Sequence, residues 1–265
     1  MASSIWYTIA CRLRFPVVVR AATEMAVDGA KPMLVYVGVA KTGKWATLES
    51  GDSVEVIERR QGGISAILAD GQGSGPAAKR ISSLVVSRAM ALTAEGARDG
   101  AVARAVHDLL YAWREGKVSA ALCMLSVDLT SRTLVVTRNG DALVVIKTPG
   151  QVEIPGEVVP IGLYPGTRPW IREYSLEPGI LALAASDGVA NAGLQRGCRL
   201  THQEILEVME GHGPEGATGL AGRLLELALG RDAGRAGDDM TVVTLGIGAG
   251  EPEPRVRQMS VVFPV

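Results

Sequence analysis

The stretch SAALCMLSVDLTSRTLVVTRNGDALVVIK, Ser119–Lys147, holds three short apolar runs: Ser119–Asp128, Thr133–Thr137 and Ala142–Lys147. Turn chemistry separates them, at Thr130-Ser131-Arg132 and Asn139-Gly140-Asp141. Gaps this short suit antiparallel hairpins, because a parallel crossover needs roughly a dozen residues or more. Upstream, Met33–Ala40, Ser53–Arg60 and Gly63–Asp70 read as strands rich in Val, Ile and Ala. Gly75–Glu95 then carries Ile81, Leu84, Val85, Ala89 and Leu92 at helical spacing, and Asp99–Glu115 carries Val102, Val106, Leu109, Leu110 and Trp113. Asp99 is expected to cap the second helix and Gly116 to end it. Downstream come strand-like Tyr174–Leu176 and Gly179–Ser186, helices over Thr201–Glu210 and Gly216–Leu229, and the strand Met240–Ile247. Strands and helices are grouped in blocks instead of alternating, which predicts an α+β fold with antiparallel sheets covered by helix pairs.

The composition agrees with a sizeable core. The chain has 265 residues, 47% of them hydrophobic but only 4% aromatic, so Val, Leu, Ile and Ala must fill the interior. A formal charge of −1 offers no general attraction for nucleic acid or an acidic membrane surface. No apolar run approaches the ~20 residues of a membrane span. Cys11, Cys123 and Cys198 lack C-x-x-C spacing and read as reduced thiols of an intracellular, cytoplasmic protein. Residues 1–32, with Arg12, Arg14 and Arg20, are expected to be an N-terminal extension. Residues 249–265 form a tail in which Val256–Phe263 could add an edge strand to its own sheet or to a neighbour's, giving a homodimer.

The carboxylates carry the chemistry. Gly63–Asp70 and Gly179–Asp187 are both apolar runs that deliver an aspartate followed by glycine. Gly237-Asp238-Asp239-Met240-Thr241 opens a strand, and Ser50-Gly51-Asp52 opens another. Each aspartate alone could be a turn former; the dipeptide Asp-Gly also occurs at Asp28 and Asp99. Placed at the ends of core strands, four carboxylates should meet on one rim. Two of them about 4 Å apart would repel by roughly 4 kcal/mol at an effective dielectric near 20. Cations or raised pKa values must then hold them, and an oxygen-only donor set favours Mg²⁺ or Mn²⁺ over zinc.

Six segments together resemble the metal-dependent protein phosphatases of type 2C, in the bacterial branch of sporulation stage II and stress-response phosphatases. They are Ser50-Gly-Asp52, Ala69-Asp-Gly-Gln-Gly-Ser-Gly75, Pro160-Ile-Gly-Leu-Tyr164, Leu176-Glu-Pro-Gly179, Ser186-Asp-Gly188 and Gly237-Asp-Asp-Met-Thr241. The resemblance runs from about Met33 to Gly248, a phosphatase domain over 33–248. It implies a β-sandwich of two antiparallel sheets flanked by helix pairs, in α-β-β-α layers. It also implies two divalent cations, Mn²⁺ or Mg²⁺. Asp70 would bridge them, Asp52 and the Gly71 carbonyl would bind one, and Asp187 and Asp238 the other; Asp239 would support the site without touching metal. Water activated between the ions would attack a phosphoserine or phosphothreonine of a small signalling regulator, of the stressosome or anti-sigma-antagonist type.

Two features depart from the family pattern. Gln72 stands where relatives often carry a histidine, and no arginine is matched to the substrate phosphate; Lys41 and Lys44 are the candidates in that region. Gln72 keeps open a catalytically weak binding module, and a hydrolase of small phosphoesters is a third reading. The P-loop-like Gly38–Trp45 lacks the Ser or Thr that a P-loop needs after its lysine, because Trp45 stands there. His107, His202 and His212 are isolated and read as structural.

Overall fold

The computed structural model describes residues 21–22, 32–250 and 256–262. The rest of the expected extension, with Cys11 and Asp28, lies outside them. Strand β5 (Ala120–Asp128) shows why its apolar run is unbroken. Period-two alternation turns Ala121, Cys123, Leu125 and Val127 toward the space between two sheets, and Ala120, Leu122 and Met124 toward helices. Both faces are covered, so neither can be polar.

β5 lies at the centre of a sheet ordered β3 (Asp52–Glu58), β4 (Gly63–Gly71), β5, β6 (Thr133–Asn139) and β9 (Trp170–Ser175). The facing sheet runs β1 (Ala21–Ala22), β2 (Met33–Thr42), β11 (Met240–Ala249), β10 (Ile180–Ala185), β7 (Leu143–Lys147) and β8 (Val152–Glu153). Every pairing is antiparallel. Between the sheets lie Ile64, Leu68, Leu125, Val136, Ile146 and Leu245, among others. Helices α1 (Gly75–Glu95) and α2 (Asp99–Arg114) cover the first sheet through Ile81, Val85, Val102 and Val106. Helices α4 (His202–Glu210) and α5 (Ala217–Arg231) cover the second through Ile205, Met209, Leu220 and Leu224. The result is the expected α-β-β-α sandwich.

Helix ends follow local chemistry in two cases. Gly96 takes the left-handed conformation (φ 95°) that ends α1. Thr201 and Glu204 form a reciprocal capping box at α4.

Three expectations need correction. β5 and β6 form a hairpin, but Asn139-Gly140-Asp141 leads out of one sheet and into the other, where β7 pairs with β10 and not with β6. Gly140 makes this crossing at φ 88°, pressed so close to β5 that a Cβ would lie 2.8 Å from the Ala121 Cα. A short turn signal shows that the chain bends, not which strand it then joins. Asp99 is the first helical residue instead of the cap; its carboxylate pairs with Arg59 at 3.1 Å and accepts from the Ser126 hydroxyl, all of it buried. Residues 256–262 add no strand to the chain's own sheets; they are mostly exposed, and Arg257 reaches Glu58 at 3.3 Å. Nearly every side chain there faces water, so none of the segment's apolar residues is buried against the sandwich.

Candidate functional site

Strand register brings the first two carboxylates together. Asp52 is directly opposite Asp70 in the β3–β4 pair. Val54, Val56, Ile64, Ala66 and Leu68 all pack into the core between the sheets, so alternation puts Asp52 and Asp70 on that same face at its rim. The facing sheet supplies the others. β10 ends at Ala185, and Asp187 opens the one-turn helix α3 (Asp187–Ala190). Asp238 and Asp239 lead into β11. Ser186 ties the two strand ends: its amide donates to the Thr241 carbonyl (3.0 Å), and its hydroxyl accepts from the Thr241 amide (2.9 Å). Glycine is needed for the close fit. A Cβ on Gly188 would lie 2.1 Å from the Asp239 carbonyl oxygen, and one on Gly71 would lie 2.2 Å from the Ala78 oxygen of α1.

Asp70, Gly71, Gln72, Asp141, Asp187 and Asp238 line a cavity of about 350 Å³, together with Lys44 and Asp239. Asp52 is completely buried behind it. One Asp52 oxygen accepts from the Thr241 hydroxyl at 2.5 Å, and the other has no hydrogen-bond partner. The ammonium groups of Lys41 and Lys79 both donate to the Asp52 main-chain carbonyl, at 2.7 and 2.9 Å. Lys41 is therefore committed to the backbone, whereas Lys44 faces the cavity with its ammonium 3.7 Å from Asp238. Both Asp239 carboxylate oxygens are taken by backbone donors, the amides of Lys44 (2.9 Å) and Gly51 (2.7 Å). The Gln72 side-chain oxygen accepts from the Ser119 amide at 3.0 Å.

Burial and mutual repulsion shape the charges here. Burial pushes the Asp70 carboxyl up to about 9, reinforced by Asp52, Asp187 and Asp141. Asp187 rises to about 6, through burial and then Asp141 and Asp238. Asp52 is raised by burial, opposed by the hydroxyls of Thr241 and Ser186. These groups cannot all ionise side by side without positive charge between them. An all-oxygen donor set, with one fully buried carboxylate oxygen left unpartnered, fits a hard divalent cation. As placed, no three of the described His, Cys, Asp or Glu side chains close tightly around one point.

Asp141 was not foreseen. Its only sequence signal is an acid after Asn-Gly, which ordinary turn chemistry also explains; the crossing between sheets delivers it to the cavity. Among the other aspartates, Asp99 belongs to an ion network at the opposite end of β4 and β5. Gly38, in the P-loop-like stretch, is a packing glycine, where a Cβ would meet the Ala217 oxygen of α5 at 2.6 Å. His107 is buried, and its Nδ1 accepts from the Gly162 amide at 3.1 Å.

The model of the family described as stage II sporulation protein E (SpoIIE) matches residues 60–248, most of the chain and the sandwich from β4 through β11. The chain belongs to the SpoIIE family. That membership places it in the PP2C-type phosphatase family.

Solved structures of the same fold include the PP2C phosphatase domain, with a fragment of the regulatory domain, of SpoIIE from Bacillus subtilis. It superposes with a TM-score of 0.72 at 23% identity, over 84% of this chain and 66% of that one. The chain thus spans just under two thirds of that relative. The S. agalactiae serine/threonine phosphatase gives 0.65 at 15% identity, covering 80% of this chain and 99% of that one. RsbX in complex with magnesium gives 0.60 at 15% identity, covering 86% and 100%. At these identities the likeness establishes the fold. Among curated proteins, none matches the sequence. No helix among the described residues is long and apolar enough to cross a membrane.

Proposed function

We propose that this SpoIIE-family chain hydrolyses phosphoserine or phosphothreonine in a small bacterial signalling regulator, with residues 33–248 as the catalytic unit. Two divalent cations, Mn²⁺ or Mg²⁺, would be held by Asp52, Asp70, the Gly71 carbonyl, Asp187 and Asp238. The observation that carries this reading is the set of mutually repelling carboxylates around one cavity, with Asp70 pushed up to about 9. A scaffold gains nothing from that repulsion, whereas a cation site requires it. Bound divalent cations lower the pKa of water and offset the growing charge on a phosphoryl group.

The chain's own residues do the rest. Thr241 donates to Asp52 and holds one of its oxygens, leaving the other for a ligand. Ser186 fixes the spacing between the Asp187 and Asp238 strand ends. Gln72 spends its carbonyl on Ser119, which leaves its amide hydrogens for an acceptor in the cavity. An amide orients such an oxygen but releases no proton, so protonation of the leaving group draws on solvent.

A stressosome structure and RsbX are among the folds this one resembles, which supports a stress-signalling regulator as substrate. Hydrolysis of p-nitrophenyl phosphate and a phosphoserine peptide with added Mn²⁺ tests the reading. Activity should appear with metal and fall at least a hundredfold in Asp187→Asn; activity indifferent to that change would sink the assignment. Gln72 favours a second reading, a phosphoprotein-binding module with little turnover. Metal-dependent peptide binding without hydrolysis would select it.

A further inference from the structure

Two of the most exposed apolar side chains stand on one loop beside the cavity. In residues 43–51, between β2 and β3, Trp45 is 61% exposed and Leu48 is fully exposed. The loop is nonetheless firmly held. Its two ends donate to the two oxygens of Asp239, through the amides of Lys44 and Gly51. The Trp45 amide donates to the Ala236 carbonyl at 2.9 Å, and the Arg235 guanidinium lies 5.2 Å from the centre of the Trp45 ring. Thr47 closes the turn with its amide and hydroxyl on the Lys44 carbonyl, at 3.1 and 2.8 Å.

A tethered loop that keeps a tryptophan and a leucine in water has already lost much of the backbone entropy that ordering it on a partner would cost. Apolar side chains in such a setting mark a contact surface. Lys44 identifies the occupant, because it lines the carboxylate cavity and immediately precedes Trp45. A chain whose phosphorylated residue enters the cavity comes beside this loop on its Lys44 side. At ~3.3 Å per extended residue, a side chain a few positions from the phosphoserine reaches it. Cationic Lys44 and Arg235 flank Trp45, and Glu49 is the loop's single acid, a balance that suits a dianionic phosphoryl group beside an apolar neighbour.

We propose that Trp45 and Leu48 form a docking platform that selects phosphoprotein segments carrying a large aliphatic or aromatic residue within a few positions of the phosphoserine. This rests on the phosphatase reading above and specifies its substrate.

The test uses the full chain with Mn²⁺ and three substrates: p-nitrophenyl phosphate and two phosphoserine peptides that differ only in Leu or Ser flanking the phosphoserine. The wild type should favour the leucine peptide at least tenfold in kcat/KM. In Trp45→Ser/Leu48→Ser, its kcat/KM relative to that for p-nitrophenyl phosphate should fall tenfold, erasing the preference. Robust aryl phosphate hydrolysis with no peptide preference, or with a preference that survives the double variant, overturns the platform and leaves the phosphatase reading intact. No hydrolysis of any substrate overturns both. A concentration-dependent dimer abolished by the same variant, with peptide preference unmoved, would assign the patch to a second copy of the chain instead.

Discussion

Replacing Asp70 with asparagine should stabilise the metal-free protein while abolishing its activity. In the folded chain the Asp70 carboxyl is pushed up to about 9, against an ordinary value of 3.8. At pH 8 it keeps its proton when folded and releases it on unfolding, so ionisation favours the unfolded chain. A carboxyl raised in this way contributes full stability below about pH 4 and loses that contribution as pH climbs toward 9. Roughly four pH units, at about 1.4 kcal/mol each, set a ceiling near 6 kcal/mol at pH 8. Partial hydration and charge shared with Asp52 and Asp187 reduce this to roughly 2–4 kcal/mol. Asparagine, neutral in both states, removes the penalty. For a chain of this size that is a rise of roughly 5–12 °C in Tm.

Thermal unfolding by circular dichroism in EDTA provides the assay. Asp70→Asn should melt well above wild type at pH 8, and the gap should shrink to below about 1 kcal/mol at pH 4. Added Mn²⁺ should raise the wild-type Tm and leave the variant nearly unmoved. An equal gap at both pH values, or a less stable variant at pH 8, would refute the account of buried, repelling carboxylates.

Other perturbations probe separate parts of the structure. Thr241→Val removes the hydroxyl that donates to Asp52 at 2.5 Å and should raise the Mn²⁺ concentration for half-maximal activity by roughly tenfold or more. Gly188→Ala forces a methyl to within 2.1 Å of the Asp239 oxygen and should cost about 1–3 kcal/mol in urea titrations, with a larger relative loss of aryl phosphate turnover. Asp99→Ala strands the buried Arg59, whose remaining acidic partner, Asp128, is 3.5 Å away; urea unfolding should show a loss of about 3 kcal/mol. A loss below about 1 kcal/mol would mean that Asp128 suffices.

Much of the fold was legible in the sequence because both faces of the central strands are buried. Gly63–Gly71, Ala120–Asp128 and Ile180–Ala185 read as apolar runs for that reason, and the runs end where the carboxylates begin. Periodicity also placed α1, α4 and α5 to within a residue or two at their ends. It could not reveal the partner of β7, since Leu143–Lys147 has the same pattern in either sheet. Asp99 resembled a cap because its chemistry suits one, yet Arg59 and Ser126 claim its carboxylate from residues distant in sequence. Asp141 stayed hidden for a related reason: its role depends on where a crossing ends, and Asn-Gly-Asp serves any tight turn equally well. Asp52 and Asp70 were accessible because strand pairing converts their positions directly into adjacency.

The register of β2 against β11 bears on how the chain comes into being. Val37 pairs with Leu245, about 200 residues later, and β11 lies between β2 and β10 in its sheet. As the chain leaves the ribosome, the β3–β4–β5–β6 meander can assemble early from neighbouring segments, with Asp52 and Asp70 already side by side. Its counterpart must wait, with one edge of β2 open, until β11 emerges, and that same strand brings Asp238 and Thr241. Contacts between such distant segments form slowly. A chain that lacks the β2–β11 pairing therefore holds Asp52 and Asp70 without Asp238 and Thr241, and the proposed cation site should become whole in a single step, when β11 slots into place.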